Sequence, residues 1–135
     1  MLTISTINDL YPMPNKNFSV YNEQCPSHNI LEKISDKWSI LIINILLNKP
    51  FRFGELKRKI GGISPKMLTQ TLMKLERFGF ITKCSFPVLP MKVEYSITPL
   101  GKELGTILNS LTTWTEKNMN RIMRAEDKFT ETRNL

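Results

Sequence analysis

Positions 53–98 hold two helix-length apolar patterns split by a glycine pair, then two strand-length runs around a proline loop, and few folds accommodate that order. The first pattern is FGELKRKI, with Phe53, Leu56 and Ile60 on one helical face. Gly61-Gly62 breaks it. Ser64 then offers an N-cap, and Pro65 falls at the first helical position, where its missing N–H costs nothing. The second pattern, PKMLTQTLMKLERFGF, runs to about Phe78, with Gly79 as its expected stop. Runs 81–85 and 93–97 have strand character and flank a loop, 86–92, that contains Pro87 and Pro90. Phe51-Arg52 is placed to add a short strand to that ribbon. Helix, tight glycine turn, helix and β-ribbon predict a winged helix-turn-helix, an arrangement that sets its second helix into the DNA major groove.

The flanking sequence completes a mainly α fold with a small antiparallel β-ribbon. A first helix is expected from about Pro26 to Ser35, with Ile30, Leu31 and Ile34 as its apolar face. A second is expected from about Lys37 to Leu47, carrying Trp38, Leu41, Ile42, Ile45 and Leu46, and ended by Asn48 and Pro50. Thr98-Pro99 repeats the cap-then-proline signal and opens a long final helix, whose apolar residues recur over about six turns. The expected organisation is an arm at 1–24, the winged helix-turn-helix at 25–98, a C-terminal dimerisation helix at 99–125 and a tail at 126–135. Six apolar turns exceed what one small domain readily buries, which points to a homodimer interface of Leu104, Ile107, Leu108, Leu111 and Trp114. Intramolecular core is the alternative, and both can hold along one helix.

Charge is concentrated on the same unit. The chain carries a net +7, and residues 51–80 hold seven Lys and Arg against two Glu. That is the footprint of a phosphate-binding surface, although a solvated basic face would have the same composition. With Leu68 centred on the buried face of the second patterned helix, Leu72 and Leu75 fall within roughly 40° of it, at about 100° per residue. Lys66, Gln70, Met73 and Arg77 then point outward, flanked by Thr69 and Lys74. Recognition helices read bases chiefly from their N-terminal turns, so Lys66, Thr69 and Gln70 are the candidate base contacts. Ser64, Lys57, Arg58, Lys59, Lys74 and Arg77 are the candidate phosphate contacts. The loop at 86–92 is largely apolar, and only Lys92 there offers a contact to DNA; a loop packed on its own domain is the other reading. That apolar loop also admits a winged helix used as a protein-interaction module, which the basic outward face opposes.

Other classes find little support. Cys25 and Cys84 do not make the framework of a secreted disulfide domain. No signal-peptide pattern opens the chain, and the most apolar stretch, 40–47, is far shorter than the ~20 residues a span requires, so a cytoplasmic protein without membrane contact is expected. His28 has no neighbouring ligand cluster at zinc spacing, so neither metal nor cofactor is expected. No phosphate-binding glycine loop or nucleophile motif suggests an enzyme.

Five features resemble the HxlR-type (DUF24) bacterial regulators: Cys25-Pro26, Lys37-Trp38, Arg52-Phe53-Gly54-Glu55-Leu56, the run ISPKMLTQ at 63–70 and VEYSIT at 93–98. The two-proline wing FPVLPMK fits as well, and the resemblance covers about 25–114. It implies a homodimer on a pseudo-palindromic double-stranded operator, acting as a repressor or activator under an oxidant or small-molecule effector. It also implies a sensing role for the thiol at Cys25, which precedes a helix N-terminus able to favour a thiolate, with His28 one turn away. A small buried hydrophobe is the alternative for Cys25, and packing is the expectation for Cys84.

Overall fold

The computed structural model describes residues 17–134, and the chain divides into two compact units, 1–35 and 36–135. Most of the expected arm, 1–16, lies outside the described residues.

In the first unit, helix α1 (Pro26–Ile34) begins at the proline expected to start it. Its apolar face is only partly covered: Ile30 and Ile34 are half-buried and Leu31 is exposed. With Phe18, Val20 and Pro26 these side chains line an open apolar groove of about 410 Å³. The His28 ring pairs through Nδ1 with the Val20 carbonyl oxygen at 2.8 Å, tying the preceding turn to the helix.

The second unit contains α2 (Lys37–Leu46), α3 (Phe53–Lys59), α4 (Pro65–Arg77), β1 (Ile81–Phe86), β2 (Lys92–Ile97) and α5 (Pro99–Arg133). Helix α2 is its centre and packs against α4, β2 and α5. Ile42, Ile43 and Leu46 are buried there, so the covered face is turned from the expected one: Leu41 and Ile45 are half-buried. Asp36 caps α2, accepting the Ser39 N–H at 3.0 Å and the Ser39 hydroxyl at 2.7 Å. In α3, the Glu55 carboxylate accepts the Arg52 N–H at 3.0 Å, while Leu56 and Ile60 enter the core. Gly62, at φ +84°, turns the chain toward α4 in a conformation that glycine adopts without strain.

Helix α4 starts and stops by the devices expected. The Ser64 hydroxyl oxygen accepts the Met67 N–H at 3.0 Å. At the other end Gly79 (φ +81°) closes a Schellman motif, its N–H bonding Glu76 O and the Phe80 N–H bonding Leu75 O, each at 3.0 Å. Leu68, Thr71, Leu72 and Leu75 form the buried face. The ribbon pairs Ile81 with Ile97 through to Phe86 with Lys92, leaving a loop at 87–91. Phe51 joins as the expected third element, exchanging N–H···O bonds of 3.1 and 2.8 Å with Tyr95.

Helix α5 departs from expectation in length. It continues to Arg133, through the stretch 126–133 assigned to a tail. No Gly or Pro interrupts that stretch, and Glu126, Lys128, Glu131 and Arg133 all favour helix. Thirty-five residues extend roughly 50 Å at 1.5 Å per residue. Its first turns are held against the domain by small residues. A Cβ on Gly101 would run into the Phe80 carbonyl oxygen, and one on Gly105 would lie 2.6 Å from Leu47 Cδ2. From Met119 onward every described residue is exposed, so the second half of α5 projects from the unit.

Because the Gly101 obstacle is main chain, relief requires the helix itself to shift. Gly101→Ala is expected to lower unfolding stability by about 2 kcal/mol, as overpacking does; urea denaturation followed by circular dichroism measures it, and an unchanged midpoint would contradict this packing.

Candidate nucleic-acid interface

Helix α4 presents one continuous exposed stripe, Lys66, Gln70, Met73 and Arg77, at i, i+4, i+7 and i+11. Thr69 is exposed beside it and donates its hydroxyl to the Pro65 carbonyl at 2.9 Å. That bond leaves the Thr69 oxygen able only to accept and its methyl able to make apolar contact. The Ser64 hydroxyl oxygen is occupied as the cap, but its O–H remains a donor for an anion at this end of the helix. In α3, Arg58 and Lys59 are exposed and Lys57 is half-buried. The Lys59 ammonium stands 5.3 Å from the centre of the Phe51 ring.

Two expected phosphate contacts are directed elsewhere. Lys74 Nζ forms an ion pair with Asp36 Oδ2 at 2.6 Å, joining α4 to the start of α2 rather than pointing outward. At about 120° from Leu68 it sits on the flank of the helix, within reach of the domain. Burial pushes the Asp36 carboxyl up, but hydrogen bonds from Lys74 and Ser39 outweigh that and hold it below the usual carboxylate range. Lys92 pairs with Glu94 at 2.8 Å, two residues along the same strand face, with its ammonium 5.4 Å from the centre of the Phe86 ring. The wing tip is not packed on its own domain: Val88, Leu89 and Met91 are exposed, and Leu89 wholly so. The pairing of Asp36 with Lys74, 38 positions away, has no local signature in the sequence.

The residues assigned to dimerisation also divide. Leu108 is buried and Leu104 half-buried, so they belong at least partly to the domain's own core. Ile107, Leu111 and Trp114 remain exposed at 66%, 49% and 55%. The exposed line extends beyond them in both directions, to Leu100, Ile122 and Phe129. Beneath it, Asn44 donates to the Thr112 hydroxyl at 3.1 Å, fixing the inner face of α5 on α2.

Cys25 is the N-cap of α1 and half-buried, with its Sγ 3.1 Å from Ser27 Oγ. Hydrogen bonding by the Ser27 hydroxyl and main chain holds this thiol below its ordinary pKa. His28 is turned to Val20 by its Nδ1. Cys84 is exposed on β1, not packed as expected, because beyond Ile81 the strand has no covered face. Among the described residues, no group of three His, Cys, Asp or Glu is placed to hold a metal ion, and no helix is long and apolar enough to cross a membrane.

A capped helix with a basic and polar outer stripe, set after a glycine turn and before a β-ribbon, defines the class as winged helix-turn-helix DNA-binding proteins. Comparison with known proteins agrees. Residues 33–123 match the HxlR-like helix-turn-helix family. The Escherichia coli K12 protein named "Uncharacterized HTH-type transcriptional regulator YtfH" is 40% identical over 113 residues, 84% of this chain and 90% of that protein. The solved structure of the putative transcriptional regulator ytfH from Salmonella typhimurium superposes with a TM-score of 0.77 at 39% identity, covering 82% of this chain and 99% of that one. The redox regulator HypR in its reduced form gives a TM-score of 0.67 at 30% identity over 73% of this chain and 98% of its own. The chain belongs to the HxlR-like helix-turn-helix family and is a transcriptional regulator of that type.

The free and the paired cations of α4 are separable by salt. Arg77→Ala is expected to flatten the slope of log K against log salt by ~1 for each protomer on the duplex, one phosphate neutralisation each. Lys74→Ala is expected to leave the slope unchanged, because its charge is already paired; equal effects of the two variants would refute the assignment.

Proposed function

We propose that this regulator acts as a homodimer that lays α4 in successive major grooves of a pseudo-palindromic operator in the cytoplasm. The observation that carries this reading is the exposed stripe of α4, whose Lys66 and Gln70 lie in its first two turns. Gln70 suits a bidentate pair with adenine and Lys66 suits guanine O6/N7, while Arg58, Arg77 and Lys59 supply phosphate contacts. The exposed apolar line of α5 supports the dimer. It has no cover within the unit, and burying what remains exposed of each Leu or Ile in it is worth roughly 1–2 kcal/mol. Two-fold symmetry would then space the recognition helices about 34 Å apart, one DNA turn.

Selection from a random duplex library tests both parts. The expected product is two inverted half-sites about one turn apart. Gln70→Ala is expected to lose discrimination at one position in each half-site, by ~1–3 kcal/mol. A single asymmetric site would remove the dimer reading. No enrichment over random duplex would return the apolar wing to prominence and favour a protein-contact module.

A thiol-responsive form of this function is favoured by one feature, the Cys25 thiol held toward its reactive state by Ser27. A structural relative being a redox regulator is consistent with it. Treatment with peroxide or a quinone is expected to weaken operator binding at least tenfold in the parent and to leave Cys25→Ser unaffected. Equal loss in both proteins would assign the response elsewhere.

A further inference from the structure

Met73 is out of place in the stripe where it sits. It lies about 20° around the helix from Lys66 and one turn beyond Gln70 and Thr69, on the outward face and about 40° from its centre. Its side chain is 61% exposed, so it contributes little to the core. Around it the face is polar or charged: Lys66, Thr69, Gln70, Glu76 and Arg77. A thioether has no donor for phosphate oxygens and is a poor acceptor for base edges. In the major groove the one apolar group on a base edge is the thymine C5-methyl.

We infer that Met73 is a specificity-determining residue that packs its side chain on a thymine methyl. The inference rests on the proposed placement of α4 in the major groove and adds a base contact to it. The helix rises about 4.5 Å from Gln70 to Met73, and successive base pairs are about 3.4 Å apart. The thymine therefore stands one or two steps from the base pair that Gln70 reads. Because Met73 is unbranched and largely exposed, it can follow the methyl without moving the helix.

Deoxyuridine removes that methyl and leaves every hydrogen-bonding group of the base in place, which makes it the discriminating probe. The duplex would be the one the parent protein itself selects from a random library. Its thymines would be replaced by deoxyuridine one symmetric pair at a time, and affinity read by fluorescence anisotropy for the parent, Met73→Ala and Met73→Leu. At one pair the parent is expected to lose about fourfold per half-site, the worth of one buried methyl, or roughly fifteenfold for both. Met73→Ala is expected to lose almost nothing at that pair, and Met73→Leu to keep most of the penalty. Since Met73 is exposed, the thermal midpoints of the variants should match the parent, which separates lost contact from lost fold. Identical deoxyuridine profiles for the parent and Met73→Ala would overturn the inference while leaving α4 as the reading helix. A parent protein that selects no sequence would overturn the placement of α4, and the Met73 contact with it.

Discussion

Much of this fold is fastened at one main-chain carbonyl. Phe80 O accepts both the N–H and the hydroxyl of Thr98, each at 3.0 Å, and Gly101 lies against it too closely for any Cβ. The Phe80 N–H meanwhile completes the cap on α4. One residue thus joins the end of the recognition helix, the start of the wing and the start of the long helix. The single Thr98 hydroxyl proton is shared with Gly79 O at 2.6 Å, and the same oxygen caps α5 by accepting the Gly101 N–H at 3.0 Å. Phe80 and Leu75, the apolar pair that accompanies a Schellman motif, are both buried beneath this corner. A rotation of α5 is therefore felt at α4 through hydrogen bonds and a steric stop, without a flexible linker between them.

That corner explains what was legible in the sequence and what was not. Ser64-Pro65, Gly79 and Thr98-Pro99 are local signals, each satisfied within a few residues, and the bounds they imply agree closely with the helices observed. The buried face of α4 follows from a simple period. Partnerships across the fold have no such signature. Lys74 reads as an outward cation until Asp36 is folded beside it. Leu108 reads as one apolar residue among many, because nothing in the period of α5 says which arc α2 covers. The far end of α5 was missed for a different reason: expectation stopped where the apolar rhythm thins, but good helix formers continue the helix without it.

Removing Lys74 and Lys92 from the free charges makes the remaining surface more discriminating. Positive charge on residues 51–80 is no longer spread around α4 but gathered on its outward stripe and on α3. The Asp36–Lys74 pair is partly exposed, so its worth as an ion pair is modest. Its larger effect is positional. It ties the last turn of α4 to the N-terminus of α2, beside the corner at Phe80 that holds the helix's end. Two attachments of different kinds fix the helix against rotation about its own axis, and such rotation would exchange base-reading side chains for flanking ones.

Helix α5 carries two apolar lines with separate purposes. Gly101, Gly105 and Leu108 face the domain, where the two glycines let the helix approach Phe80 and the Leu47 side chain at the end of α2 closely. Leu100, Ile107, Leu111 and Trp114 lie about a third of a turn away and stay exposed. The exposed line continues through Ile122 and Phe129 with steps averaging near 3.6 residues, so it runs straight along the helix instead of winding around it as a heptad would. A partner helix packed on such a line crosses at a fixed place and does not supercoil along the full length. The angle of that crossing would set the distance between two copies of α4, since each is rigidly joined to its own α5. In the proposed dimer, operator spacing is then determined by side chains that never approach DNA.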